Sequence, residues 1–292
     1  MKILIIGCQG QLGWELTHSL SSLGEVIPVG YPDLDLTNPG SIRSWMRETQ
    51  PGVIINAGAY TAVDQAEAEV ELANKVNSIA PHILAEESQK LNSLLIHFST
   101  DYVFNGDKGI PYNESDLPEP INTYGRSKLE GERSVQSLGG KFFIFRTSWL
   151  YSTRRDCFVT KVLKWARTEK IIRIAADQVG SPTWSRSLSD ETYHSLKMML
   201  QNGESWIEEN AGIYHLAGNG AVNRFEWAEK ILQYDPKPEE SIYSDLIQTT
   251  SDSFNLPAKR PLNTALDCSR YQKVFNSFYS DWEISLRKAL TE

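Results

Sequence analysis

The most constraining feature of the sequence is its opening. A short apolar run, Ile3-Leu4-Ile5-Ile6, meets Gly7-Cys8-Gln9-Gly10-Gln11-Leu12-Gly13 and passes into an apolar-periodic segment through Leu16 and Leu20. An unbroken apolar run of this length suits a parallel strand buried on both faces. Glycines at the spacing of Gly7, Gly10 and Gly13 permit a tight turn, close approach of a pyrophosphate and close packing of helix on strand. The helix N-terminus that follows offers free N–H groups and the positive end of its dipole to phosphates. Strand, glycine turn and helix in this order predict an α/β fold with a Rossmann-type doubly wound parallel sheet and a dinucleotide at its first turn. A tight turn with no ligand is the plainer alternative.

The pattern continues. A second strand is expected over Glu25 to Val29, ending at Gly30. Many dinucleotide folds place an acidic residue there to bind the adenosine ribose. Gly30 offers no carboxylate, and no arginine adjoins it, so NAD and NADP both stay open. Asp35 has two readings, neighbour of the adenine or turn residue. Asn38-Pro39 opens a helix. Val53-Ile54-Ile55-Asn56 is a third strand, running into the small residues Ala57-Gly58-Ala59 before Tyr60 and Thr61. A long helix is expected from Glu67 to Gln89, interrupted near Pro81. A fourth strand, Leu94 to Phe98, delivers Ser99-Thr100-Asp101; a fifth spans Lys141 to Arg146.

Between these last strands lies Tyr124-Gly125-Arg126-Ser127-Lys128, at the head of a periodic segment from Leu129 to Leu138. On a helix, residues four apart share one face. A free phenol has a pKa near ~10 and is a poor acid at neutral pH. A neighbouring ammonium favours the phenolate and lowers that value. The pair can then exchange a proton near neutrality. A surface helix carrying Tyr and Lys by chance is the bland alternative.

Charge and composition exclude several classes. The formal net charge of −8 argues against a nucleic-acid surface. No apolar run reaches the ~18 residues of a membrane span. The three cysteines, Cys8, Cys157 and Cys268, are far apart and show no metal spacing, which suggests reduced thiols and a cytoplasmic protein. The five histidines are scattered.

Together, the Gly7 motif, Ser99-Thr100-Asp101 and Tyr124-x-x-x-Lys128 resemble the extended short-chain dehydrogenase/reductases. More narrowly, the chain resembles the dTDP-4-dehydrorhamnose reductase family. The runs that carry this are Asn56 to Asp64, Ser99 to Phe104, Asn122 to Glu132, Arg146-Thr147-Ser148-Trp149, Asp177 to Thr183 and Pro257-Ala258-Lys259-Arg260-Pro261. The likeness spans nearly the whole chain. It implies NAD(P)H-dependent reduction of the C4 ketone of a dTDP-4-dehydro-6-deoxy sugar to dTDP-L-rhamnose. It implies that Gly10, Gln11 and Leu12 meet the cofactor pyrophosphate, that Asp35 and Leu36 lie by the adenine, and that Ala59, Tyr60 and Thr61 follow the ribose and nicotinamide, with Phe98 behind. Tyr124 is the implied proton donor, Lys128 bonds the nicotinamide ribose, and Thr100, Asp101 and Trp149 face the sugar.

The chemistry of the residues agrees. Ketone reduction needs a hydride and a proton for the developing alkoxide; Tyr124 supplies the proton, Thr100 bonds the same oxygen, and Lys128 adds positive charge. Related sugar-nucleotide dehydratases carry an Asp-Glu pair after the threonine. Here Tyr102 follows Asp101, which favours reduction alone. Some relatives dimerise through a divalent metal, such as Mg2+, held by glutamates, and Glu15 stands at a matching position. The chain is expected as monomer or homodimer. A second functional class, a binding protein similar to the regulatory β subunit of methionine adenosyltransferase, shares these motifs, as does a reductase of a different dTDP-4-keto-6-deoxy sugar.

Residues 1–150 are expected as the dinucleotide-binding domain and 151–292 mainly as a smaller substrate-binding lobe, with a stretch near 186–232 returning to the first domain. Helices are expected near Ser189 to Leu200 and Phe225 to Leu232, and a strand over Gly212 to Ala217. An anionic sugar nucleotide needs a local cation in so acidic a chain. Arg260, with Lys259 beside it, is the candidate for the nucleotide diphosphate. Solvated surface charge is the alternative. Trp184 and Trp227 read more naturally as core than as pocket walls.

Overall fold

Short apolar runs alternating with amphipathic stretches become strands and covering helices in the computed structural model, which describes residues 1–277 and 279–291. The first half contains β1 (Lys2–Ile6), α1 (Gln11–Ser19), β2 (Glu25–Val29), α2 (Pro39–Thr49), β3 (Val53–Asn56), α3 (Val70–Asn74), α4 (Ala80–Lys90), β4 (Leu94–Thr100), α5 (Thr123–Leu138) and β5 (Phe142–Thr147). The second half adds β6 (Leu150–Tyr151), α6 (Phe158–Thr168), β7 (Ile171–Ala175), β8 (Val179–Gly180), β9 (Thr183–Trp184), α7 (Ser185–Asn202), α8 (Glu204–Asn210), β10 (Gly212–His215), β11 (Val222–Asn223), α9 (Arg224–Gln233), β12 (Asp245–Thr249), α10 (Ser269–Phe275) and α11 (Trp282–Thr291).

Six strands form one sheet in the order β10-β5-β4-β3-β1-β2, and every pairing in it is parallel. The order reverses at β1, with β2 on one side and β3 on the other. Ligands of such sheets bind outside the carboxyl ends of the strands at that reversal. The period of two sorts the strand residues. Ile3, Ile5, Val53, Ile55, Ile96 and Phe145 pack with Leu12 and Leu16 of α1 and Leu188 and Leu196 of α7. Leu4, Ile6, Ile54, Leu95 and Ile144 pack with residues of α2, α4 and α5 on the other face. A separate core joins α6, β7, α9 and α11 around Trp227, Val162, Ile174 and Leu286. Of the stretch 186–232, α7 packs on the α1 face and β10 lies beside β5, whereas β11 and α9 pack in the separate core.

The long helix expected from Glu67 to Gln89 has a more particular form. A 3-10 turn at Gln65–Glu67 precedes α3, and a π-type turn, Lys75–Ile79, joins α3 to α4. Pro81 lies in the first turn of α4. Proline cannot donate to the preceding turn, and widening the helix there removes the demand. The wide turn also leaves Asn77 buried against α5, where the wall of Gly131 admits it: a Cβ on Gly131 would stand 2.1 Å from the Asn77 carbonyl oxygen. At α2, Asn38 Oδ1 accepts from the N–H groups of Gly40 and Ser41, with Pro39 in the first turn as expected.

Candidate active site

The reversal of strand order is lined by glycine. Gly7 has φ +84°, and a Cβ there would lie 2.7 Å from the Gly58 nitrogen, so the turns after β1 and β3 touch. A Cβ on Gly13 would lie 2.1 Å from the Gly7 carbonyl oxygen. The Gly10 N–H donates to that same oxygen at 2.9 Å. Gly10 is the N-cap of α1, and no side chain caps the helix. Its first N–H groups are therefore available, as a pyrophosphate requires. Gln11 Oε1 is buried with no hydrogen-bond partner. The cradle and the orphaned oxygen both fit a dinucleotide.

The neighbouring residues are more varied. A Cβ on Gly30 would lie 1.8 Å from Gln9 Oε1, so the Gln9 amide fills the place where dinucleotide folds carry an acidic side chain. Gln9 Nε2 donates to the Tyr31 carbonyl at 3.0 Å. Asp35 Oδ1 accepts from the Thr37 N–H and hydroxyl, at 2.8 and 2.7 Å, so its carboxylate is engaged in a turn. Leu36 reaches Gly58. The loop of Ala59, Tyr60 and Thr61 is pinned by Asn77: its Oδ1 accepts from the Tyr60 N–H and its Nδ2 donates to the Tyr60 carbonyl and to Ser127 Oγ. The Tyr60 hydroxyl turns away and donates to Glu69, which pushes its pKa up to about 12.

At the carboxyl end of β4, Phe98 is buried and its carbonyl accepts from Lys128 Nζ at 2.7 Å. Thr100 and the half-buried Tyr124 come close enough for the threonine hydroxyl to favour the phenolate. Asn122 caps α5 by accepting from the Gly125 N–H at 2.8 Å, and its Nδ2 donates to the Lys259 carbonyl at 2.9 Å. Gly125 lets α5 close on the backbone of Tyr102, since a Cβ there would stand 2.1 Å from that carbonyl.

Two electrostatic expectations change. Burial holds the Tyr124 phenol above its ordinary value; Thr100 opposes this, while Asp101 and Tyr102 reinforce it. The lowering expected from Lys128 does not emerge because the ammonium is drawn back to the Phe98 carbonyl. Lys128 itself is lowered to about 8 by burial, against the pull of Glu132. Asp101 does not face an open sugar pocket. It is 2% exposed and accepts from three hydroxyls, those of Thr100, Ser148 and Thr264. Burial raises its pKa and these bonds oppose the rise.

Across the crevice, Trp149 has φ +43° and stacks on Trp227, with ring centroids 5.4 Å apart. A Cβ on Gly180 would lie 2.4 Å from the Trp149 ring. The Arg224 guanidinium lies 4.0 Å from the Trp149 centroid and 4.7 Å from that of Phe158. Its Nε donates to Gln178 Oε1 at 3.3 Å, and burial lowers its pKa while Tyr102 and Asp101 oppose this. Arg260 Nη2 donates to Asp64 Oδ2 at 2.7 Å, and Arg260 Nη1 is buried without a partner. The two guanidinium groups are close enough to repel. Lys259 is exposed. Trp227 is core, as read from the sequence, and its ring supports that of Trp149 from behind.

Arg224, His97 and Thr264 were not singled out in the sequence. The signal for Arg224 was its place between the N-cap Asn223 and the aromatics Phe225 and Trp227. Glu15 lies 3.9 Å from Arg154, and among the described residues no group of three His, Cys, Asp or Glu can hold a metal ion. Among the same residues, no helix is long and apolar enough to cross a membrane.

Comparison with known proteins gives the family. The family model described as "RmlD substrate binding domain" matches residues 1–292. The chain is 36% identical to the dTDP-4-dehydrorhamnose reductase of Burkholderia thailandensis, over 98% of this chain and 97% of that one. It is 34% identical to the enzyme of the same name from Salmonella typhimurium, over 100% and 98%. Among solved structures, the dTDP-4-dehydrorhamnose reductase of Bacillus anthracis in complex with NADP superposes with a TM-score of 0.88 at 32% identity, covering 99% of this chain and 98% of that one. By matched family, relatives and fold alike, the chain belongs to the dTDP-4-dehydrorhamnose reductase family.

Proposed function

We propose that the chain is a dTDP-4-dehydrorhamnose reductase, which reduces the C4 ketone of dTDP-4-dehydro-6-deoxy-L-mannose to dTDP-L-rhamnose. The observation that carries the reading is the meeting of Thr100 and Tyr124 at the carboxyl end of β4, with Lys128 one turn along the same helix. A bound NADPH or NADH supplies the hydride. Tyr124 gives the proton to the developing alkoxide. Thr100, whose hydroxyl donates to Asp101 in the free protein, turns that proton to the same oxygen when the ketone binds. Lys128 contributes charge and a donor at the ribose. Asp101 acts on the sugar only through Thr100 and Ser148, because its oxygens are already engaged.

The substrate lies between the sheet and the lobe that follows residue 150. Arg260 anchors the diphosphate through its partnerless Nη1, and Arg224 stands across from it. Arg260 is paired with Asp64 and Arg224 feels the Asp101 carboxylate, so the unpaired Nη1 of Arg260 is the donor left for an anionic group in an otherwise acidic protein. Trp149 forms the wall against the sugar, and Gly10, Gln11 and Leu12 hold the cofactor pyrophosphate. Tyr102 occupies the place where an eliminating enzyme would need a second carboxylate, and it lies by Arg224 instead.

The test is direct. Purified protein mixed with dTDP-4-keto-L-rhamnose and NADPH is expected to oxidise the cofactor and form dTDP-L-rhamnose in equal amounts. No turnover with either NADPH or NADH would sink the assignment.

A further inference from the structure

Behind Lys128 lies a line of buried polar groups that the reaction described above leaves unused. Asn56 and His97 are register partners on β3 and β4. Asn56, His97 and Lys128 are 1%, 1% and 2% exposed, so solvent does not satisfy them. Asn56 Oδ1 accepts from the Gly58 N–H at 3.1 Å. This fixes the amide, because the reversed orientation would set its NH2 against that N–H. Asn56 Nδ2 then faces His97 Nδ1 at 3.1 Å as a donor. Nδ1 must be the accepting nitrogen, so a neutral imidazole carries its proton on Nε2. Nε2 lies 3.4 Å from Lys128 Nζ.

An N–H aimed at Nζ makes a hydrogen bond only with a lone pair, and only the free amine has one. An ammonium would oppose donor to donor in a buried space. The doubly protonated imidazole is disfavoured by burial, by the cation beside it and by the Asn56 donor. We propose that His97 is a positioning residue for the proton donor: its Nε2–H favours the free-amine form of Lys128 and sets the pH above which Tyr124 loses its cationic neighbour.

The surrounding charges permit this. On α5, Glu132 favours the ammonium, but Arg146 of β5 holds both of its oxygens at 2.9 and 2.6 Å. Glu67, before α3, is taken by the N–H and hydroxyl of Thr123. On α4, Glu87 is paired with Lys90, Arg43 and Arg47. From β4 the only titratable group against the Lys128 amine is His97, since the Phe98 contact is a carbonyl. Burial of the amine pushes in the same direction as His97, and places the change of charge near pH 8.

The inference rests on the reading of Tyr124 and Lys128 as the acid pair, but its first test needs neither substrate nor turnover. In the wild-type protein labelled with 15N-histidine, the NMR signals of His97 at neutral pH are expected to show a protonated Nε2 and a bare Nδ1. A protonated Nδ1, or an imidazolium, overturns the proposal. The second test uses His97→Gln, whose amide carbonyl can turn to accept from an ammonium. The alkaline fall of kcat is expected to move upward by about one pH unit, a tenfold gain in proton affinity, with KM for NADPH little changed. A fall that stays where it is in the wild type, with activity reduced equally at all pH, would assign His97 a packing role only.

Discussion

The two walls of the crevice are made of different materials. The wall after β1 and β3 is backbone: Gly7, Gly13 and Gly58 meet so closely that added Cβ atoms would fall 2.1 to 2.9 Å from their neighbours. The facing wall is side chain: Trp149, Phe158, Trp227, Arg224 and Arg260, contributed by segments more than a hundred residues apart. A wall of the first kind fails when atoms are added. A wall of the second kind fails when atoms are removed. Tyr124, beside Thr100 and Tyr102 at the head of α5, belongs to neither, and its loss is expected to differ from either.

The largest effect is expected at Tyr124. Tyr124→Phe keeps the ring that packs edge-on against Tyr102, with centroids 5.8 Å apart, and removes only the hydroxyl. General acid catalysis is worth about 10²–10⁴-fold, so kcat is expected to fall by that factor while NADPH titration gives a near-normal Kd. A near-normal rate at neutral pH would take the proton donor elsewhere. On the side-chain wall, Arg260→Ala removes a charge-assisted bond worth about 1.5–3 kcal/mol. KM for the dTDP-sugar is expected to rise roughly ten- to a hundred-fold, with NADPH affinity retained. Paired titrations with dTDP and NADPH separate the two walls; unchanged dTDP binding would mean that Arg260 serves only Asp64.

On the backbone wall the sign of a substitution depends on two opposing terms. Gly13→Ala gains about 1 kcal/mol of helix propensity. The new methyl meets the Gly7 carbonyl at 2.1 Å, and overpacking of this kind typically costs about 1–3 kcal/mol. Because the opposing atom is backbone, the clash is expected to win, giving a lower thermal midpoint and weaker cofactor binding by calorimetry. A stabilised variant with normal NADPH affinity would show that the turn has slack. The smallest effect is cofactor choice. With Gly30 offering no carboxylate and Gln9 over it, NADPH is expected to be preferred only modestly. Steady-state rates with both cofactors decide this; a preference for NADH above ~1,000-fold, ~4 kcal/mol, would require an acidic residue elsewhere at the ribose.

The same contrast explains how far the sequence could be read. The backbone wall was legible because strand, turn and helix are local: the glycines, the apolar run and the helix start lie within residues 3–20. Tyr124 and Lys128 were legible for the same reason, one helical turn apart. Their electrostatics were not, because the groups that set them come from β4 and from burial. The Asp101 carboxylate looked like a sugar ligand beside Thr100; its commitment to Thr264, 163 residues away, leaves no local trace. Arg224 gains its meaning only when α9 brings it against Trp149 and Tyr102. The π-type turn that presents Asn77 to the Tyr60 loop was foreshadowed only by Pro81.

The three hydroxyls around Asp101 set a schedule for the molecule's own synthesis. One belongs to the end of β4, one to the segment after β5 and one to Thr264, near the end of the chain. A nascent protein that has completed the six-stranded sheet would still hold a buried carboxylate short of one donor, next to the threonine that must grip the substrate. Thr264 is the donor that joins last, so the ground beside Thr100 is finished later than the sheet that carries it.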